Sequence, residues 1–179
     1  MMLKAVTLYF FAALYPITHI GAQNKPAATI PSLVSFSILN AGAEVKGTME
    51  ISNVDIHFNP KDPAQSTISA SADPATIDTG ISIRDEHLKR SDYFNVEKHP
   101  EIRLQCTGFR KVARRFIGYF DLTIKGITKP VIIYFTCTSN NNNLLLRGTF
   151  DLNRLDYNLG EKSIILDEQV KVRITFLTQ

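Results

Sequence analysis

Run after run of this chain alternates apolar and polar residues with a period of two, and that pattern confines the fold to sheet. Val34, Phe36 and Ile38 alternate with Ser35 and Ser37. Val45, Met49 and Ile51 share a parity with Gly47, and Val54, Ile56 and Phe58 alternate with Asp55 and His57. Ile68, Ala70 and Ala72 continue the pattern, as do Ile102, Leu104 and Cys106. Phe116, Phe120, Leu122 and Ile124 share a face with Gly118. Later come Val131, Ile133, Phe135 and Cys137, then Leu144, Leu146, Phe150 and Leu152 with Gly148, then Val170, Val172, Ile174 and Phe176. One apolar and one wet face on each run is the signature of antiparallel sheet. Asn59–Pro63 reads as a turn, Gly126–Pro130 as a hairpin, and the Asn-rich stretch Ser139–Asn143 as a hairpin tip, since Asn tolerates positive φ. About eight or nine such strands must close on themselves or face a second sheet. The fold class is all-β.

A length of 179 residues with 44% hydrophobic and 21% charged content suits one domain with a real core. A net charge of +3 is too mild to imply a nucleic-acid partner. Residues 1–22 read as a signal peptide: Lys4, the short apolar core Ala5–Leu14, then Ile20-Gly21-Ala22 at the cleavage site. Residues 23–30 read as a flexible leader and 31–179 as the folded domain, expected in the periplasm or secreted. Cys106 and Cys137 fall in strands that flank a common middle strand, about 9.5 Å apart, beyond disulfide reach. Two buried thiols are expected.

One segment breaks the alternation. Asp78–Pro100 is polar and helix-capable. Ser82 and Asp85 fit a capping box, and Asp85–Lys89 and Glu86–Arg90 are acid-to-base pairs in the favourable order. The spacing predicts a helix over Ile83–Ser91, and His99-Pro100 returns the chain to extended structure.

Within that segment Asp78-Thr79-Gly80, Arg84-Asp85-x-His87-Leu88, Asp92-Tyr93-Phe94 and His99-Pro100-x-Ile102 resemble the central signature of the YceI-like family. Gly126–Val131 resembles that family's hairpin between late strands, and Asn153–Tyr157 its penultimate segment. The resemblance runs from Ser32 to Phe176. It implies a lipocalin-like, extended antiparallel β-barrel of about eight strands with one short helix near one end. It also implies a periplasmic or secreted carrier of polyisoprenoid or other long-chain amphiphilic lipids. Three positions depart from the family pattern: Pro31-Ser32 where His-Ser is common, Met49 where Phe is common, and Asn158 where Gly is common. These bear on ligand identity more than on fold.

An eight-stranded barrel is just wide enough to be filled by side chains or to hold one small ligand. Gly47, Ala70, Ala72, Gly118 and Gly148 interrupt the large residues on the inward parity and tilt the reading toward an open lumen. The expected ligand-binding residues on the strands are Val34, Phe36, Ile38, Met49, Ala70, Ala72, Leu104, Phe120, Leu122, Phe135, Phe150, Val172 and Ile174. Arg84, His87, Leu88 and Phe94 are expected from the helical segment. Arg84 and His87 either bind a head group or hold the helix in place. The basic run Arg110–Arg115 spans a hairpin turn, either simply solvated or docking to anionic head groups as a peripheral membrane contact. No nucleophile elbow, phosphate loop or His pair at metal-ligand spacing is present, so no catalytic residue, metal or cofactor is expected. The expected partner is a polyisoprenoid, a quinone or another long-chain amphiphile. The alternatives are a ligand-free structural module of the envelope, or a hydrolase built from Asp85 and His87 with a strand serine.

Overall fold

A computed structural model describes residues 32–140 and 143–177. The signal-peptide and leader readings fall outside the described residues. Eight strands form one closed antiparallel barrel in simple sequence order. They are β1 (Leu33–Asn40), β2 (Ala43–His57), β3 (Thr67–Asp78), β4 (Ile102–Val112), β5 (Arg115–Ile124), β6 (Ile127–Asn140), β7 (Asn143–Asn153) and β8 (Leu166–Leu177). One helix, α1 (Ser82–Leu88), lies between β3 and β4, and short 3-10 turns occupy Pro63–Gln65 and Arg154–Tyr157.

Two of the alternating runs belong to one strand. Val45–Ile51 and Val54–Phe58 have opposite parities, which reads as a strand break. In the structure β2 runs through both, and a bulge between Ile51 and Asn53 shifts its register against β3 by one residue. One extra residue on one strand is enough to flip the inward parity without ending the strand. The β2–β3 ladder is further interrupted between Thr48 and Glu50, where β3 bows out through the fully buried Pro74. Proline is admissible there because bulged backbone has no ladder bond to donate.

The tight turns follow from local chemistry. Lys125-Gly126 joins β5 to β6 with both residues at positive φ (51° and 76°), the backbone that matches the twist of a two-residue hairpin. Ala41-Gly42 joins β1 to β2 in the same way. Asn158, where the family commonly has Gly, sits at φ 53°, a left-handed conformation that Asn tolerates best after glycine.

The strand glycines are not openings into the lumen. Gly47 pairs directly across the ladder with Phe36, Gly118 with Phe109, and Gly148 with Phe135. At Gly47 the Phe36 ring lies over the space a side chain would take, and at Gly118 the Phe120 ring does. A β-carbon at Gly148 would meet Ile133 Cγ2 at 2.7 Å. Glycine here is the partner that lets an inward aromatic ring lie flat on the sheet.

Cys106 (β4) and Cys137 (β6) are free thiols with β5 between them, as expected, although half-buried rather than buried. Desolvation holds both above the ordinary thiol pKa, which leaves them poor nucleophiles at neutral pH.

Two predictions follow from this interior. Gly47→Ala and Gly148→Ala each lower the unfolding free energy by about 1–3 kcal/mol through overpacking, read from urea denaturation midpoints. The buried Tyr157 phenol is pushed up to about 12, first by desolvation and then by Asp156. Its neutral form therefore favours the folded state below pH ~10, and that contribution is lost as pH rises through about 12. Alkaline unfolding curves of Tyr157→Phe flatten in that window relative to wild type.

Candidate functional site

Up-and-down order sends alternate connections to opposite ends of the barrel. The β1–β2 and β5–β6 turns, the α1-bearing segment 79–101 and the β7–β8 segment 154–165 share one end. The β2–β3, β4–β5 and β6–β7 connections share the other.

That second end is filled with rings. Phe58 stands edge-on to Phe109, Phe116 and Phe135 at centroid distances of 5.0–5.4 Å. Phe116 stacks on Phe135, and Phe109 meets Phe120 and Phe135 edge-on. Such edge-to-face and offset contacts add to the burial of area. A void of about 20 Å³ lies there, against Phe120, Phe135 and Gly148.

At the first end the interior is open. A cavity of about 340 Å³ is walled by β1, β2, β3, β4, β5, β7 and β8, with no lining residue from β6. Val34, Phe36, Ile38, Met49, Ala70, Ala72, Leu104, Leu122, Phe150, Val172 and Ile174 line it from the strands, and Arg84, His87, Leu88 and Phe94 from the α1 segment. Phe120 and Phe135, expected in the same set, do not reach it. They stand further along the barrel, in the aromatic cluster that Phe109 joins beyond the β4 bulge between Cys106 and Gly108. Fifteen of the expected residues are thus brought together on one cavity. Val34, Phe36 and Ile38 are only half-buried although they point inward, since the space before them is empty of side chains.

The polar groups gather at the mouth. His87 lines the cavity with its side chain 53% exposed, which places the opening beside α1. Thr79 organises this rim. Its N–H donates to Asp85 Oδ1 (2.9 Å), its hydroxyl donates to the same oxygen, and it accepts from Arg84 Nε (2.7 Å) and, through its carbonyl, from Arg84 Nη2 (2.7 Å). Asp85 is buried and Arg84 half-buried, so cation and carboxylate are linked through one hydroxyl.

This arrangement corrects the capping-box reading. The helix starts one residue earlier, at Ser82, with Ile81 as its cap and no side-chain cap bond, and it ends at Leu88 rather than Ser91. Asp85 turns back to Thr79 because two donors there satisfy a buried carboxylate better than one exposed serine amide. The expected Asp85–Lys89 pair is consequently replaced by Lys89–Glu86 at 2.7 Å. His87 bonds Asp92 (2.7 Å) and meets Tyr93 edge-on, so Asp85 and His87 face different partners, unlike a catalytic pair. The bond from His87 holds the Asp92 carboxyl below its usual pKa.

Arg154 also lines the cavity and was not among the expected residues. It is 2% exposed. Its guanidinium donates to the carbonyls of Asp167 (2.9 Å), Leu159 (2.8 Å), Glu161 (2.8 Å) and Leu166 (3.4 Å). Four neutral acceptors around a fork of five donors shape the 159–167 segment around one cation. The Asn153-Arg154-Leu155-Asp156-Tyr157 block was the available signal. Lys125 closes the same end by donating to the carbonyls of Ser91 (2.8 Å) and Asn158 (2.9 Å), and Gly160 N–H donates to Asp92 O (2.8 Å).

The basic hairpin Arg110–Arg115 stands at the aromatic end, away from the mouth, with Lys111 over the Phe116 ring at 5.5 Å. A head-group dock there would be remote from the cavity. Among the described residues no cluster of His, Cys, Asp and Glu could hold a metal ion, and no helix is long and apolar enough to cross a membrane.

A closed antiparallel barrel with one deep apolar cavity and a polar mouth defines the class of lipocalin-like, cavity-bearing barrels. The chain belongs to the YceI-like family, whose domain matches residues 28–177. It is 33% identical over 103 residues to the UPF0312 protein plu2095 of Photorhabdus laumondii and 29% identical to Protein YceI of Escherichia coli. Each match takes in 57% of this chain and 54% of the relative, so the chain spans about half the length of these curated relatives. Among solved structures, Burkholderia cenocepacia BcnA superposes with a TM-score of 0.79 at 19% identity, over 83% of this chain and 96% of that one. A polyisoprenoid binding domain from Saccharophagus degradans superposes with a TM-score of 0.64 at 11% identity, over 82% and 92%. Both are likenesses of fold.

Thr79→Val keeps the shape and removes the hydroxyl that joins Arg84 to Asp85, and Arg154→Met strips donors from four buried carbonyls. With about 1–3 kcal/mol for each buried group left unpaired, Thr79→Val loses about 2 kcal/mol and Arg154→Met at least about 3 kcal/mol in chemical denaturation.

Proposed function

We infer that the protein is an exported carrier that binds one amphiphilic lipid non-covalently, with the apolar tail in the cavity and the polar head at the Thr79, Arg84 and His87 rim. The cavity itself carries this reading. An eight-stranded barrel can be filled by its own side chains, and this one is filled at only one end. Leaving about 340 Å³ of apolar interior without side chains forgoes the packing contacts that the other end makes. A ligand-free structural module gains nothing from such a void, whereas a binding protein recovers about 0.8 kcal/mol for each methylene it takes from water.

The chemistry of the lining supports a tail and not a polar metabolite. Aliphatic and aromatic side chains cover the depth, and the charged groups are engaged at the rim by Thr79 and backbone carbonyls. Isoprenoid, quinone and fatty amide ligands share this division. The likeness to a polyisoprenoid binding domain favours the first. Binding is favoured over hydrolysis because Asp85 and His87 serve Thr79 and Asp92.

Protein purified from an exporting host is expected to begin after Ala22 and to release a stoichiometric amphiphile on denaturation and extraction, read by N-terminal sequencing and lipid mass spectrometry. Ala70→Phe, which places a ring in the cavity, is expected to abolish uptake of added prenyl lipid while leaving the circular dichroism spectrum unchanged. Repeated absence of lipid together with no uptake by wild type would sink the carrier reading.

A further inference from the structure

The barrel interior is divided unequally. The 340 Å³ cavity ends at a waist of Leu104, Ile174 and Phe176, which also line the 20 Å³ void beyond. Past the waist stand the Phe120 and Phe135 rings, held by Phe58, Phe109 and Phe116. Three of these rings are fixed from outside the cluster as well, since Phe109 and Phe135 face glycines across the ladder and Phe120 lies over Gly118. They form a floor.

We propose that this aromatic floor makes the site selective for tail length, accepting short prenyl or acyl tails and excluding the distal part of long ones. The proposal rests on the reading of the cavity as a lipid site. A methylene takes up about the same room as a water molecule, ~30 Å³, so the cavity encloses roughly eleven such groups, about two or three isoprene units. Each unit within that limit transfers apolar surface out of water. Each unit beyond it must remain at the mouth or displace rings that are already buried. Affinity therefore rises with tail length up to the floor and then stops rising. The specificity-determining residues are Phe176, which stands at the waist, and Phe120, which stands past it beside Phe135.

The test is a ladder of prenyl alcohols (geraniol, farnesol, geranylgeraniol and solanesol) competing against an environment-sensitive fluorescent probe on delipidated full-length protein, at a fixed detergent concentration below micelle formation. The expected result is a gain of roughly tenfold or more from geraniol to farnesol, as for several newly buried methylenes, and no further gain through geranylgeraniol to solanesol. Phe120→Ala and Phe176→Ala each lower the floor and are expected to move the plateau one member up the ladder. Two separate variants keep the test open if one fails to fold, and the wild-type ladder stands without either. Affinity that keeps climbing to solanesol in wild type overturns the length limit while leaving the lipid reading intact. If the plateau is present but neither folded variant moves it, the assignment to these rings is overturned. Failure of every alcohol to compete overturns the lipid reading itself.

Discussion

The antiparallel pairing of β1 with β8 is the constraint on which the rest of the structure depends. It joins the first and last strands along Leu33–Asn40 and leaves the sheet without an edge. Closure defines an inside, and the period-two pattern then sends every apolar face there. An open sheet of the same strands would need a second layer to cover those faces. Closure also fixes two ends, and the irregular segments that carry Arg84, His87 and Arg154 all fall at one of them.

The interior is then shaped by a few local irregularities. The bulge at Ile51–Asn53 lets one strand serve two parities, so β2 contributes Val45, Met49 and Ile51 to the cavity and Ile56 to the core further on. Glycines leave room for the Phe36 ring over Gly47 and the Phe120 ring over Gly118. The sum is an asymmetric fill: aromatic area concentrated where β4, β5 and β6 meet, and small or aliphatic residues such as Ala70, Ala72 and Val172 where β3, β8 and β1 run past the opening. Stability is supplied by one end, and the other is left free to be hollow.

Much of this was legible in sequence. Period-two runs give each strand and its inward face directly, because cross-strand geometry leaves no other way to bury them, and most of the inward residues do meet on one cavity. What was not legible depends on pairing in three dimensions. A parity change at residues 52–53 looks the same whether a strand ends or bulges. Glycine at 47, 118 or 148 reads as vacant space until its cross-strand neighbour is known to be a phenylalanine. Phe120 and Phe135 share a parity with true lining residues and part from them only by height along the barrel. Arg154 lies in a block that marks the family, yet its role depends on four carbonyls between residues 159 and 167, and main-chain acceptors leave no trace in side-chain identity.

Two cations stand at the mouth of an apolar cavity, and their neutralisation differs in kind. Arg154 is buried and surrounded by carbonyls, a fixed piece of architecture whose fork holds the 159–167 segment in place. Arg84 is half-buried and shares Thr79 with Asp85, which engages its Nε and Nη2. A barrel that needed only rigidity could have placed both in the first condition. Keeping Arg84 at the rim, with its carboxylate partner held one residue removed by a hydroxyl, puts a cation where an amphiphile's polar head would emerge. On the carrier reading, burial of the tail would supply the affinity and the rim the orientation.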